Sequence, residues 1–477
     1  MAEIYTLKGL EDYAHESQMF LKLRTRLLEQ VKAAGAESNS IIALHGTEPN
    51  IINDSDTEYE LYYEAFSFNI TGLKDLSCYI IIEIDSGQVH IFVPPFDDVI
   101  KAFLLPSTPE AINETYGYNA YYHNNLEQVL SKLNPNCIYL NKGTNTDSGV
   151  STPCSYLNVP ELNNYKKDED LLYKIFAKAR SVKLDEEIEI MKRIIKASSE
   201  AHIEVMKHCR PGLMEYSLAG VFRGYISTNY GLQYSFKPIS ASGKTAAVLH
   251  YPYMDKRIED GTIMLCDMGA YGYGYCSDIA CSFPANGRFT EKQANIYNIV
   301  LKANRAVIQT MRPGMDWTDM HLLAEKIIIE GLVDIGVLKG NVEEIQRKRI
   351  GAIFFPHGLG HFLGQDTHDV GGYICGHSRS TEPGIKCLRT RRNLEKNMII
   401  TVEPGCYFID FAIEQGLANT DFQEYFGDKL SEYRDFGGVR IEDDVLVTEN
   451  GGEILTDVPR TVAQIEALMA GQNWRSV

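Results

Sequence analysis

Apolar residues first recur at helical spacing at Phe20, Leu23, Leu27 and Val31, which predicts a helix through roughly residues 20–34. The pattern then changes to short apolar runs. Ser40–Leu44, Ser77–Ile82 and Val89–Val93 read as strands of a mixed sheet, with Asp85-Ser86-Gly87 as the turn between the last two. This predicts an N-terminal α/β domain over residues 1–180, with no catalytic constellation of its own, followed by a second domain over 181–477. In the second domain Ile188, Met191 and Ile195 form the apolar stripe of a helix capped by Asp185, running to Cys209 and stopped by Arg210-Pro211-Gly212-Leu213. About a hundred residues later the plan recurs. Thr290-Glu291-Lys292-Gln293 predicts a capping box, a helix follows to Met311, and Arg312-Pro313-Gly314-Met315 ends it. Another amphipathic stretch follows each copy; on residues alone the short match reads either as chance or as a duplicated helix–turn–helix–strand unit.

Carboxylates interrupt the apolar strands of this region. Ile263–Met268 carries Asp267, and Asp278 opens the run to Phe283. A two-residue type II′ loop at Gly272-Tyr273 would set Asp267 directly opposite Asp278 on one face of the sheet. Opposed carboxylates repel unless a cation lies between them; a solvated hairpin with two stray acids is the bland alternative. His357-Gly358-Leu359-Gly360-His361 and His368 follow, and the two glycines argue against a helix and for close backbone approach to a ligand. Ile399–Val402 reads as a buried strand ending in Glu403, where Pro404 halts the ladder. In Val439–Val445, period-two alternation puts Arg440, Glu442 and Asp444 on a face that pattern alone assigns to solvent. Buried carboxylates in this number are costly without positive charge, and four of them balance two divalent ions.

Composition narrows the classes. The 477 residues, 44% hydrophobic and 23% charged, describe an ordinary globular chain, and a net charge of −18 disfavours nucleic acid as a partner. No apolar run approaches the roughly 20 residues that span a bilayer, and no apolar leader follows Met1, so a cytoplasmic protein without membrane partners is expected. Ten cysteines without a Cys-x-x-Cys pair read as reduced core thiols.

Asp267, Asp278, the His357–His361 stretch, Val402-Glu403-Pro404-Gly405 and Arg440-Ile441-Glu442-Asp443, taken in order, resemble the motif set of the Xaa-Pro dipeptidases (prolidases). These are pita-bread metallopeptidases, a family shared with aminopeptidase P and methionine aminopeptidase. The resemblance runs from about Val182 to Arg460 and is especially close in Ser277–Gly287 and His361–Tyr373. It implies an α/β N-terminal domain followed by a pita-bread catalytic domain with a pseudo-two-fold internal repeat, in a homodimer. It also implies a metal centre in which Asp267 chelates one ion, Asp278 and Glu442 bridge, and His361 and Glu403 hold the other. The two divalent ions are expected to be manganese, with cobalt or zinc as substitutes. His250, His357 and His368 match histidines that contact substrate and intermediate. Arg389 matches an arginine that pairs with the dipeptide carboxylate, and Arg440 matches one behind the ligands or on the substrate side. The chain departs from the family at Pro252, where glycine usually follows the His-Tyr pair, and at Phe66-Ser67-Phe68-Asn69, which lacks tryptophan.

The expected activity is hydrolysis of Xaa-Pro dipeptides to a free amino acid and proline, by a hydroxide shared between two ions, with Glu403 carrying a proton. The rivals are an aminopeptidase P acting on longer peptides and a metal-free binding relative that kept the fold.

Overall fold

A computed structural model describes residues 14–103, 105–152, 159–374 and 376–477. The chain divides into two compact units between Glu186 and Glu187. In the first, the helix Ala14–Ala33 buries Phe20, Leu23, Leu27 and Val31, the four positions at helical spacing. Its sheet has six strands: β1 (Ile41–His45), β2 (Tyr79–Glu83), β3 (Val89–Val93), β4 (Asn119–Tyr122), β5 (Ile138–Leu140) and β6 (Lys167–Asp168). The order is β4-β3-β2-β1-β5-β6, with β1, β2 and β3 antiparallel and the outer pairings parallel. Ile41, Ala43, Ile81 and Ile138 on one face pack with Leu126 and Leu130 of a following helix, which explains why these strands read as near-continuous apolar runs.

The second unit is built from two similar halves. In the first, the helix Asp185–His208 turns at Arg210-Pro211-Gly212 into the helix Glu215–Tyr230. In the second, Glu291–Thr310 turns at Arg312-Pro313-Gly314 into Trp317–Asp334. The capping box at Thr290 is present, with Gln293 N–H donating to Thr290 Oγ1 and Thr290 N–H donating to Gln293 Oε1. Asp185 is the first helical residue rather than the cap. The two turns share a backbone: Gly212 and Gly314 have φ of 92° and 89°, a region that favours glycine. Each then docks on the segment leading to a strand. Gly212 N–H donates to Ile258 O and Gly314 N–H to Leu394 O, both at 2.8 Å.

The strands of this unit are β7 (Gln233–Tyr234), β8 (Ile239–Ser242), β9 (Ile263–Met268), β10 (Ala270–Gly272), β11 (Tyr275–Cys276), β12 (Ile279–Pro284), β13 (Ile399–Val402), β14 (Gly405–Tyr407), β15 (Gly438–Arg440), β16 (Asp443–Thr448) and β17 (Gly451–Ile454). They form sheets β11-β10-β7, β12-β9-β8, β13-β16-β17 and β14-β15.

Three register expectations need correction. The turn after β10 is centred on Tyr273-Gly274, both at positive φ (52° and 75°), as a type I′ turn requires. Gly272 is glycine for another reason: a Cβ there would lie 2.2 Å from the Leu232 side chain. The shifted turn sets Asp267 opposite Ala280, not Asp278. A slip of two residues preserves the face, so both aspartates still point to the same side as diagonal neighbours. The face carrying Arg440, Glu442 and Asp444 is also buried rather than solvated. Between them, Asp443 on the opposite side accepts from Arg305 and Arg460, so both faces of this strand are enclosed and alternation loses its meaning. Finally, Pro404 interrupts the ladder without ending it, since Gly405 pairs with Arg440 in the register that β13 keeps with β16.

Candidate metal centre

Five candidate ligands, Asp267, Asp278, His361, Glu403 and Glu442, line one cavity of 610 Å³ in the second unit. His250, His357, His368, Arg389 and Arg440 share its walls. Asp267 sits near the end of β9, Asp278 just before β12, Glu403 after β13, and Glu442 between β15 and β16. The first half of the duplicated unit therefore supplies two aspartates, and the second half supplies two glutamates and the histidine.

His361 lies on the extended segment beside β13: its amide donates to Thr401 Oγ1, and Thr401 N–H donates to its carbonyl at 2.9 Å. The glycines flanking Leu359 are required by neighbouring backbone rather than by a ligand. A Cβ at Gly360 would lie 1.9 Å from Thr401 O, and one at Gly358 would lie 2.9 Å from Cys387 O. His361 Nδ1 lies 3.0 Å from Phe362 O and donates its proton there, which leaves the Nε2 lone pair facing the acids. That nitrogen is 3.3 Å from Asp278, 3.7 Å from Glu403 and 4.0 Å from Glu442.

Three donor sets fall within 4.8 Å: Asp267–Asp278–Glu442, His361–Glu403–Glu442, and Asp278–His361–His368. The first two share Glu442, a geometry in which one carboxylate can serve two neighbouring cations. Asp267 Oδ1 and Asp278 Oδ1 are buried with no hydrogen-bond donor, a costly state that a cation relieves. The electrostatics agree. Burial first, then neighbouring carboxylates, hold Asp278 and Glu442 well above the usual carboxylate range, and burial pushes Glu403 up to about 7. A centre of oxygen ligands and one imidazole fits hard or borderline divalent ions.

Beside the acids runs a chain of polar contacts that the sequence reading missed. Arg440 donates to Asp267 Oδ2 at 2.6 Å and to the Tyr407 hydroxyl at 2.8 Å. The Tyr407 proton is then free for His357 Nε2 at 2.9 Å, while His357 Nδ1 donates to Gly358 O. This keeps His357 neutral, with its Nδ1 edge 3.6 Å from Glu403. Burial, then Arg440, pushes the His357 imidazole down to about 3. Tyr407 was detectable: it falls four residues after Glu403 along an extended strand, hence on the same face. Lys237 also lines the cavity and had no pattern to announce it.

Arg389 is half-buried at the wall, and the carbonyl before it, on Leu388, accepts from the Tyr373 hydroxyl and Arg379. His368 packs edge-on against His361 with ring centroids 4.5 Å apart, so it reaches the candidate ligands as well as the cleft. His250 lines the cavity despite Pro252 two residues on.

The arrangement of buried acids, one imidazole and orphaned oxygens inside a duplicated α/β framework is that of a metallohydrolase centre. The sequence of residues 189–449 matches the model of metallopeptidase family M24, and the chain belongs to that family. The chain is 41% identical over 468 residues to the Xaa-Pro dipeptidase of Mus musculus, covering 96% of this chain and 94% of that one. It is 39% identical over 462 residues to the Xaa-Pro dipeptidase of Homo sapiens, covering 95% and 93%. Among solved structures it resembles aminopeptidase PepP of Pseudomonas aeruginosa (TM-score 0.79, 30% identity, 97% of this chain and 99% of that one). It resembles aminopeptidase P of E. coli with the inhibitor Pro-Leu equally well (TM-score 0.79, 28% identity, 97% and 99%). The mixed α/β architecture with its two similar halves is thus the pita-bread fold of this family.

Proposed function

We propose that this chain hydrolyses Xaa-Pro dipeptides at a centre of two divalent ions, releasing a free amino acid and proline. The observation that carries the reading is the coexistence, in one 610 Å³ cavity, of two overlapping ligand sets and the Arg389 side chain. The near full-length kinship with Xaa-Pro dipeptidases supports it. Asp267, Asp278 and Glu442 would hold one ion, and His361, Glu403, Asp278 and Glu442 the other, with manganese favoured by the oxygen-rich donor set. When bound, such a pair supplies Lewis acidity and a hydroxide at neutral pH.

The chain's own groups do the rest. The prolyl nitrogen is part of a tertiary amide without N–H and must receive a proton as it leaves. Glu403, beside His357, would take the proton given up by the attacking oxygen and pass it to that nitrogen. His368 would hydrogen-bond the substrate carbonyl as charge develops on its oxygen, and His357, held by Gly358 O and Tyr407, would contact the substrate from beside Glu403. His250 orients the peptide from the facing wall. Arg389 clamps the dipeptide carboxylate, and Arg440 keeps Asp267 and Tyr407 in place.

Work in the cytosol as a homodimer is part of the same reading. The eight cysteines among the described residues are all free, which fits a reducing compartment. No helix of the described residues is long and apolar enough to cross a membrane. The likeness to aminopeptidase P structures favours a second reading, action on longer peptides. Turnover of Ala-Pro and Ala-Pro-Ala, after stripping and restoring manganese, separates the two. Preference for the dipeptide supports the carboxylate clamp, and preference for the tripeptide supports an aminopeptidase.

A further inference from the structure

The Glu215 carboxylate is buried with no exposure, at the start of the helix that follows the first Arg-Pro-Gly turn, yet it belongs to none of the ligand sets. Such a group survives only with its hydrogen bonds made. All of its partners come from the strand and loop that bear His250. Oε1 accepts from Ser242 N–H at 2.9 Å, Ser242 Oγ at 2.6 Å and Thr245 Oγ1 at 3.1 Å, where the chain enters the loop. Oε2 accepts from Lys256 N–H at 3.2 Å, where it leaves. Between them lies the buried Tyr251, whose phenol donates to Asp255 Oδ1 at 3.3 Å and is raised in pKa by burial and the neighbouring Glu215 and Asp255 carboxylates. The backbone adds Glu215 N–H to Lys256 O and Tyr216 N–H to Met254 O, each at 2.9 Å.

His250 lies between two anchors. On one side Arg440 reaches the carbonyl of Leu249 at 3.5 Å, and on the other the chain at Met254 and Lys256 is bonded to the Glu215 turn. Met254 sits at a positive φ of 55°, so the loop holds a conformation that its own residues do not prefer. The second half offers a control. Trp317 takes the matching place after the second Arg-Pro-Gly turn, and its indole N–H donates to Gly360 O at 3.3 Å, on the segment that bears His361. Each half thus uses the first residue of its second helix to hold the histidine-bearing segment beside it.

We infer that Glu215 is a positioning residue that fixes the His250 loop against the cleft, gathering its entry and its exit on one carboxylate. The inference rests on the proposed role of His250 in substrate hydrolysis. Its consequence is that the placement of His250 does not depend on the residue following the His-Tyr pair, which explains how Pro252 is accommodated.

The test is a double-mutant cycle on Ala-Pro hydrolysis, using manganese-loaded enzyme with metal content and melting temperature measured in parallel. Glu215→Gln keeps the shape but turns one acceptor into a donor facing the loop's own donors. We expect kcat to fall about tenfold or more with KM changed less and two ions retained. In a His250→Ala background, the further loss should be under about twofold. Ser242→Ala, which deletes one hydroxyl that donates to Glu215, should show the same non-additivity with a smaller loss. Equal losses from Glu215→Gln in both backgrounds, loss of metal, or wild-type turnover in Glu215→Gln and Ser242→Ala would overturn the positioning role while leaving the hydrolase reading intact. Wild-type turnover in His250→Ala alone would overturn both the role of His250 and the inference built on it.

Discussion

The two halves of the second unit use nearly the same backbone to present different chemistry. Both run helix, Arg-Pro-Gly turn at matching φ, second helix, docking segment and strand. Asp267 near the end of β9 and Glu403 after β13 each follow a buried apolar run beside an edge segment, β8 in one half and residues 359–363 in the other. The first half fills its edge strand with Ser240 and Ala241. The second places His361 there, and puts glycine at 360 because Thr401 O approaches so closely. The scaffold is therefore duplicated but the ligand set is not. One half carries two candidate aspartates and the other two candidate glutamates and the imidazole, so the proposed centre needs both.

If that division is right, the largest effect comes from removing a carboxylate that both ligand sets need. Asp278→Asn should abolish turnover and lower metal content, because an orphaned buried oxygen loses the charge that binds cations. Near-normal turnover with full occupancy would dissolve the two-half centre.

The cleft histidines of the second half should come next. His357→Ala and His368→Ala should each keep two ions per chain and lose turnover by roughly 10²–10³, His368 as a lost donor to a developing oxyanion and His357 as the lost support of Tyr407 and Glu403. His368 is the sharper case, since it also falls within a ligand set. Metal loss in that variant would move it into the centre.

Arg389→Lys conserves charge but not the paired donors, and should raise KM for Ala-Pro about tenfold, on the scale of a charge-assisted hydrogen bond of ~1.5–3 kcal/mol. The amide of the same dipeptide has no carboxylate to clamp and should be little affected. Equal damage to both would assign Arg389 elsewhere.

A milder effect follows from charge in the metal-free protein. Glu403 is raised from its usual 4.5 to about 7. Between those values the folded chain binds more protons than the unfolded chain, so this group's contribution to stability falls as pH rises through the window. Divalent ions bound at these acids would replace the missing protons. The gap in melting temperature between metal-loaded and metal-stripped protein should therefore widen from pH 5 to pH 7, and a constant gap would argue that the acids are not at the ions.

The smallest effect separates the two anchoring residues. Trp317→Phe removes an N–H bond and some buried volume, and should lower stability by about 1–3 kcal/mol with turnover nearly kept. A collapse of turnover there would mean that the second half is as finely positioned as the first.

Much of this was legible in the chain because the signals were local. The apolar stripe of Phe20 to Val31, the Thr290 capping box and the repeated Arg-Pro-Gly turns are near-neighbour patterns, and they stand in the structure. Register was harder. The turn at Tyr273-Gly274 was displaced because Gly272 is small to admit Leu232, a contact from forty residues away in sequence. The polar face of Arg440, Glu442 and Asp444 looked solvated because alternation cannot distinguish water from a buried cavity. Glu215 makes hydrogen bonds to distant segments, which composition and spacing do not encode.

The account turns on a centre that is complete only with two ions. The most direct measurement is a titration of metal-stripped protein with manganese, following bound metal per chain and Ala-Pro turnover together. The account predicts two ions at saturation, turnover that is absent from the stripped protein, and proline as the released product. Full turnover in the stripped protein, or a single ion at saturation with full activity, would contradict it.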